Sequence, residues 1–334
     1  MIINFAFPTK NPLVSVVIPS YNRADSVGET IESIIFQQCN FDFEIIIGDD
    51  CSKDNTREVL LNYQQQFPGQ IKLIFHEQNI GLGANWATCV KECLGKYICN
   101  CDNDDYWHNP NKLQLQVDFM ESHPSENVVI TNHRCHHRDT GVINEEKAWI
   151  DRSMPLQQAF FHGHERFCNA TVMYRKDFLF NHVNLDDYIK HQFTLQDWNT
   201  WMILSAYTDF YIMPISTATF GMETESITRP KTYESIINRF TKEKECYKYV
   251  CDLFPIECPF DENGWNSYVN RLLLSLAYKK YDFKSAKIFG SLLLSTNNIN
   301  LKIKCLVYNP NLFLFQKSCF LELKYPVVAS FYPE

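Results

Sequence analysis

Residues 97–110 read YICNCDNDDYWHNP: an apolar run, then Asp102, Asp104 and Asp105 within four positions, then two aromatic residues. The lead-in has the length and composition of a buried strand. Acids set directly at the end of such a strand form either a solvated turn or a site. A hard divalent cation prefers carboxylate oxygens, and two carboxylates at i and i+2 on a turn leaving a strand can converge on one ion. Mg2+ or Mn2+ held in this way commonly bridges to substrate phosphates. The competing reading is an acidic turn in water that caps a helix starting near Asn109.

Upstream, strands and helices alternate. LVSVVIP (13–19) is a β-branched run that Pro19 is expected to end, and DSVGETIESIIFQQ (25–38) carries Val27, Ile31, Ile34 and Ile35 at helical spacing. FEIIIGDD (43–50) is a second buried strand, SKDNTREVLLNYQQQF (52–67) a helix with cap-type residues at its start, and IKLIFHE (71–77) a third strand. A Gly-containing turn and helix (79–94) then lead into the strand of the opening stretch. This alternation predicts an α/β fold, with a parallel sheet between helices. Ligands bind beyond the carboxyl ends of the strands in such sheets. Pro19-Ser20-Tyr21, Asp49-Asp50 and Asp102-Asn103-Asp104 should therefore meet along one edge.

The second strand end has its own chemistry. Ser52 and Asp54 suit helix capping and turn formation, whereas Asp49 and Asp50 sit where a carboxylate can accept a hydrogen bond from a nucleobase N–H or a ribose hydroxyl. A dinucleotide-binding fold requires G-x-G-x-x-G after the first strand. That position reads PSYNRADS, which disfavours nicotinamide cofactors, and GLGANW near residue 81 is only a partial glycine pattern. Further on, NVVITNHRCHH (127–137) predicts a strand flowing into a polar loop, NATVMYRKDFL (169–179) a strand and a turn, LQDWNTWMILSAYT (195–208) a helix, and FYIMPISTATFG (210–221) a late strand.

Taken together, VSVVIPSYNRADSVGETIESIIFQQ, FEIIIGDDCSKDNT, NIGLGANW and GKYICNCDNDDYWHNPNKL resemble, in order and spacing, the family 2 glycosyltransferases over about residues 13–230. The resemblance implies a GT-A fold, a Rossmann-like mixed sheet flanked by helices, with a nucleotide-sugar donor and a divalent cation, Mn2+ or Mg2+. It implies that Pro19 and Tyr21 contact the nucleoside, that Asp50, with Asp49, holds the uracil or ribose, and that Asp102-Asn103-Asp104 is the DxD motif. Asp104 would touch the metal directly, and Asp102 the ribose, the metal or a metal-bound water. Attack by a sugar hydroxyl also needs a general base. The family's acid at the start of a helix falls on Asp197, with Gln196 where a Glu is common; a helix N-terminal acid serving backbone donors is the alternative reading. His164 and Asn169 are acceptor-side candidates by the same resemblance. One departure stands out: where the family often continues with basic and His residues that meet the diphosphate, this chain has TFGMETESITRP, with Glu223 and then Arg229 and Lys231 as the nearest substitutes.

The expected reaction is inverting transfer from a UDP-sugar or similar donor to a hydroxyl of a glycan or lipid-linked saccharide, as in bacterial polysaccharide assembly. The alternative is a non-catalytic nucleotide-binding or scaffold protein on the same fold. A net charge of −8 argues against nucleic acid as a partner. The 13 cysteines are irregularly spaced without paired CxxC knuckles, which points to a reducing, cytoplasmic setting rather than a zinc framework. His133, His136 and His137 with Cys135 suggest zinc, but HxxH where a strand runs into a loop is poor for one face, and a polar, solvated loop is the expected reading. No apolar stretch approaches the roughly 20 residues that span a bilayer. Composition shifts near residue 230, dividing a catalytic domain, 1–230, from a helical C-terminal region, 231–334. That region would pack back, pair two copies, or touch the inner face of a membrane through Leu312, Phe313, Leu314, Phe315 and Phe320.

Overall fold

The computed structural model describes residues 11–222, 232–255 and 260–294. The chain divides into two compact units, Met1–Glu223 and Thr224–Glu334. In the first, β1 (Val14–Ser20), α1 (Val27–Ile35), β2 (Phe43–Asp49), α2 (Thr56–Gln66), β3 (Ile71–Phe75), α3 (Leu82–Lys91) and β4 (Tyr97–Asn100) alternate as the apolar runs dictate. They are followed by α4 (Lys112–Ser122), β5 (Val128–His137), β6 (Val142–Glu146), β7 (Trp149–Ile150), α5 (Leu156–Phe161) and β8 (Glu165–Arg166). A single 3-10 turn (Asn169–Thr171), β9 (Met173–Arg175), α6 (Lys176–His182), α7 (Leu185–His191), α8 (Gln196–Leu204) and β10 (Phe210–Met222) complete the unit.

The main sheet runs β10-β5-β9-β4-β1-β2-β3, with β6 added beside β5. β1 pairs in parallel with both β2 and β4, and every residue of β1, β2, β3 and β4 is buried. Strands covered on both faces need no polar alternation, so these read as continuous apolar runs. Each fully buried Val or Ile contributes about 1.5–3 kcal/mol, and Val16, Ile18, Ile45, Ile47, Leu73 and Cys99 join α1 and α4 residues in one core.

The sheet is mixed, as the family resemblance implies, and not all parallel as the alternation of elements alone suggests, because short β9 lies antiparallel between β4 and β5. Two further expectations are corrected. The polar stretch after residue 137 is not a loop: β6 pairs antiparallel with the far half of β5, so His133, His136, His137 and Cys135 lie inside a strand held on both sides. Pro19 does not end β1, which continues to Ser20. Val17 O accepts the Cys101 N–H at 3.0 Å, so Pro19, two residues on, faces the same side, beyond the last residue of β4. Its missing N–H costs no ladder bond there.

In the second unit, α9 (Tyr233–Leu253), α10 (Glu262–Lys279) and α11 (Phe283–Leu294) form the expected helices. Leu274, Ala277 and Tyr278 of α10 pack on Ala286 and Leu293 of α11. Glu223, Arg229, Lys231 and the apolar residues from Leu312 onward lie outside the described residues. Among those described, no helix is long and apolar enough to cross a membrane.

Candidate active site

Ser20 lies opposite Asp49, and Val17 opposite Asn100, so the carboxyl ends of β1, β2 and β4 open on one edge of the sheet. Each strand end turns sharply there. At the end of β2, Asp49 is fully buried, and its Oδ2 accepts from Arg57 Nε at 2.5 Å and Ser52 N at 3.2 Å. Asp50 reaches across to the next connection, its two oxygens accepting the N–H groups of Ile80 at 2.7 Å and Gly81 at 2.9 Å. The φ of +87° at Gly81 suits a residue without a Cβ. The GLGANW stretch is therefore a clasp on Asp50. Asp54 does what its residue type suggests, accepting from Thr56 N at the start of α2.

The turn after β4 closes with Asp105 N donating to Asp102 O at 3.0 Å, and its residues then diverge. Asp102 Oδ2 accepts from Asn169 Nδ2 at 3.3 Å. Asn103 is used for scaffolding: its Nδ2 donates to Ser20 Oγ, and its carbonyl accepts from Ser26 Oγ. Asp104 Oδ2 faces Arg23 Nη2 at 3.4 Å, while its carbonyl accepts from Arg138 Nη2 at 2.8 Å. Asp105, 1% exposed, accepts from Gly221 N and the Cys168 thiol. The helix-capping alternative fails for Asp102 and Asp105: α4 begins at Lys112, and the carboxamide of Asn109 accepts the Asn111 N–H just before it.

Asp197 stands in the first turn of α8. Its Oδ1 accepts from Trp198 N at 2.7 Å, in part the backbone service expected of a helix N-terminal acid, and burial raises its carboxyl above the ordinary range. Its charge reaches the β4 turn. Burial, then the charge of Asp104, then that of Asp197, push Asp102 up to about 7. Asp104 from the same turn and Asp197 from a distant segment thus both act on Asp102.

The remaining sequence candidates divide. Tyr21 is 41% exposed at the rim beside Pro19 and Ser20, open for stacking. Asn169 joins the acidic group through Asp102. Gln196 is buried beside Asp197, its Oε1 without a hydrogen-bond partner among the described residues. His164 is not brought to the group: its Nδ1 pairs with Asp151 at 3.3 Å. Asn100 was not singled out from the sequence. It accepts from Trp86 Nε1 and Tyr174 Oη through Oδ1 and donates to Asn169, which in turn donates to Asp102. A lone amide ending an apolar strand was the available signal.

The donor set suits a hard cation. Asp102 and Asp104 leave one turn as crowded like charges, which a divalent ion relieves. Among the described residues no three or more His, Cys, Asp or Glu form a complete cage. Mg2+ and Mn2+ take one or two carboxylates and fill the remaining positions with water and phosphate oxygens.

The profile of Glycosyl transferase family 2 matches residues 15–182, half of the chain. The chain belongs to glycosyl transferase family 2. The matched region carries β1 through β4 and the acidic turn, and ends before Asp197. This family 2 chain is 37% identical over 169 residues to EpsE of Bacillus subtilis, to which glycosyltransferase activity is ascribed; the match covers 49% of the chain and 56% of EpsE. It spans about half or less of the length of such curated relatives. Two solved structures share its GT-A fold. TarS of S. aureus, solved with UDP-GlcNAc, is 17% identical, with a TM-score of 0.51 over 88% of this chain and 83% of that one. The mannosyltransferase PcManGT of Pyrobaculum calidifontis, solved with GDP-Man and Mn2+, is 14% identical, with a TM-score of 0.52 over 99% and 90%.

Proposed function

We propose that the chain is an inverting glycosyltransferase that moves a sugar from a nucleotide-sugar, a UDP-sugar first, to a hydroxyl of a glycan or lipid-linked saccharide. The observation that carries it is the acidic turn of Asp102 and Asp104 at the carboxyl edge of the sheet, with the charge of Asp197 from α8 felt at Asp102. The nucleotide-sugars held by TarS and PcManGT, and the Mn2+ of the latter, are in keeping with this reading. Bacterial polysaccharide assembly at the cytoplasmic side is the setting we propose.

Each group then has a task. Tyr21 and Pro19 line the nucleoside side, and the lone pairs of Asp50 not taken by Ile80 and Gly81 accept from uracil or ribose. Asp104, with Asp102, holds Mn2+ or Mg2+. When bound, the ion offsets charge on the leaving diphosphate. Asn169 orients Asp102. Asp197 takes the acceptor hydroxyl proton on its Oδ2, which has no hydrogen-bond partner among the described residues. Burial raises its basicity, as a general base near neutral pH requires. The hydroxyl oxygen bonds to the anomeric carbon as the bond to the phosphate oxygen breaks, and the nucleoside diphosphate leaves with the electron pair. Displacement without a protein nucleophile inverts that carbon.

A thermal-shift panel of nucleotide-sugars with Mn2+ identifies the donor, because binding to the folded state raises the melting temperature. Asp104→Ala abolishes Mn2+-dependent UDP binding, whereas Asp197→Asn keeps that binding and loses transfer. Normal transfer by Asp197→Asn would remove the base assignment. UDP binding with no turnover on any acceptor would favour the non-catalytic alternative.

A further inference from the structure

Of the six tryptophans, five are 8% exposed or less, whereas Trp149 is 46% exposed. Single exposed apolar side chains are ordinary on a surface, but the place of this one is specific. Trp149 of β7 stands opposite Arg166 of β8, so the two side chains share one face of that two-stranded ribbon. The next pair, Ile150 and Glu165, turns to the buried face. One step further, Asp151 N donates to the His164 carbonyl at 2.8 Å. The pleat returns these two side chains to the face of Trp149, where they join at 3.3 Å. Arg166 is held by Glu146 at 3.0 Å. The ribbon is also tied to the acidic turn. Ala148 N donates to Asn132 Oδ1 of β5. Arg166 precedes by three residues Asn169, which donates to Asp102, and three residues span at most about 11 Å. One β5 side chain feels both places: burial and Glu146 push the Cys135 thiol up to about 11, Arg166 pulls it down and Asp105 pushes it up. In the main sheet β9 and β5 lie on one side of β4, and β1 and β2 on the other. Tyr21 and Asp50 therefore stand on one side of the acidic turn, and Trp149 on the other.

Resting on the transfer reading above, we propose that Trp149 is the stacking platform for the acceptor, an uncharged oligosaccharide. A sugar ring set back from the attacking hydroxyl lies on the indole, and Arg166 with the Asp151–His164 pair serves its hydroxyl groups. The chemistry matches on both counts. A pyranose presents C–H groups on its faces and hydroxyls around its edge. An exposed aromatic face rimmed by a few hydrogen-bonding side chains is the complement of that pattern. The rim groups are already held by ion pairs, so less side-chain freedom is lost when a ligand arrives. The charges select a neutral chain: Glu146 and Asp151 balance Arg166 and the adjacent, exposed Lys147. No cationic excess remains there to attract a polyphosphate or an acidic sugar.

The probe is an array of neutral mono- to tetrasaccharides, offered to the full chain with UDP and Mn2+. The wild type holds oligosaccharides more tightly than the monosaccharides they contain. Trp149→Ala binds them about tenfold more weakly, the loss expected for one stacked ring, and binds UDP with Mn2+ as the wild type does. Trp149→Phe, which keeps a ring, recovers part of the affinity. A second readout is direct. With the other five indoles buried, acrylamide quenches mainly the emission of Trp149, and a bound oligosaccharide shields it. Equal glycan binding by the wild type and Trp149→Ala, or quenching that the glycan leaves unchanged, would overturn the proposal. So would a changed oligomeric state of Trp149→Ala in sedimentation with glycan binding intact, which would assign the ring to a contact between copies. A wild type that binds UDP with Mn2+ but no glycan of the array would overturn the platform alone. One that binds neither would remove the transfer reading itself.

Discussion

Three aspartates within four residues meet three different fates, and burial and through-space partners decide each. Asp105 is dry and tied to the Gly221 N–H and the Cys168 thiol, and burial, then Asp104 and Asp102, raise its carboxyl well above the ordinary range. It joins β10 to the turn and is unsuited to hold an ion. Glu165 in β8 shows burial without such compensation. It is 6% exposed, its Oε2 lacks a hydrogen-bond partner among the described residues, and burial raises its carboxyl well above the ordinary 4.5. A carboxyl raised on folding supports the fold below its unfolded value, and that support is lost as pH rises through the folded value. Glu165→Gln should therefore be more stable than the wild type at about pH 8, by about 1–3 kcal/mol for relief of an unpaired buried charge. The gap should close as pH falls toward 4.5, and thermal melts across that range check it.

At the scale of elements, the acidic turn is held by strands far from it in sequence. Tyr106 and Thr219 exchange backbone hydrogen bonds of 3.1 and 2.7 Å, laying β10 against the turn. Gly221 then passes so close that a Cβ would stand 2.1 Å from the Asp104 carbonyl oxygen. Neither backbone can yield without moving the other. Gly221→Ala should lower stability by about 1–3 kcal/mol, the usual cost of overpacking. It should also weaken Mn2+-dependent UDP binding more than substitutions at exposed sites do, as calorimetry on the folded variant would show. The glycine and the turn were both visible in the sequence, but their contact was not, since 117 positions separate Asp104 from Gly221. The same holds for Asp50 with Gly81 and for Asp102 with Asn169. By contrast, β1 through β4 and α8 were legible, because burial on a strand or helix imprints a local pattern of apolar residues.

For the whole molecule, every acid of the proposed site lies in the unit ending at Glu223. We propose a catalytic domain over about residues 1–230 with the helical region as an addition. A chain ended at Glu223 should bind UDP with Mn2+ within about threefold of the full chain, as isothermal titration would measure. A loss of tenfold or more would give the region after Glu223, with Arg229 and Lys231, a part in donor binding.

By itself the sequence determined the alternating elements, the family, and which acids end buried strands, because apolar periodicity and strand-end chemistry are written within a few residues. Only the tertiary structure decided that β9 enters the sheet antiparallel, that Asp197 acts on Asp102, that Asp105 is scaffold, and that Arg23 rests on Asp104. Those outcomes depend on distances between segments tens of residues apart. Electrostatics and hydrogen bonding respond to separation in space, which no local pattern records.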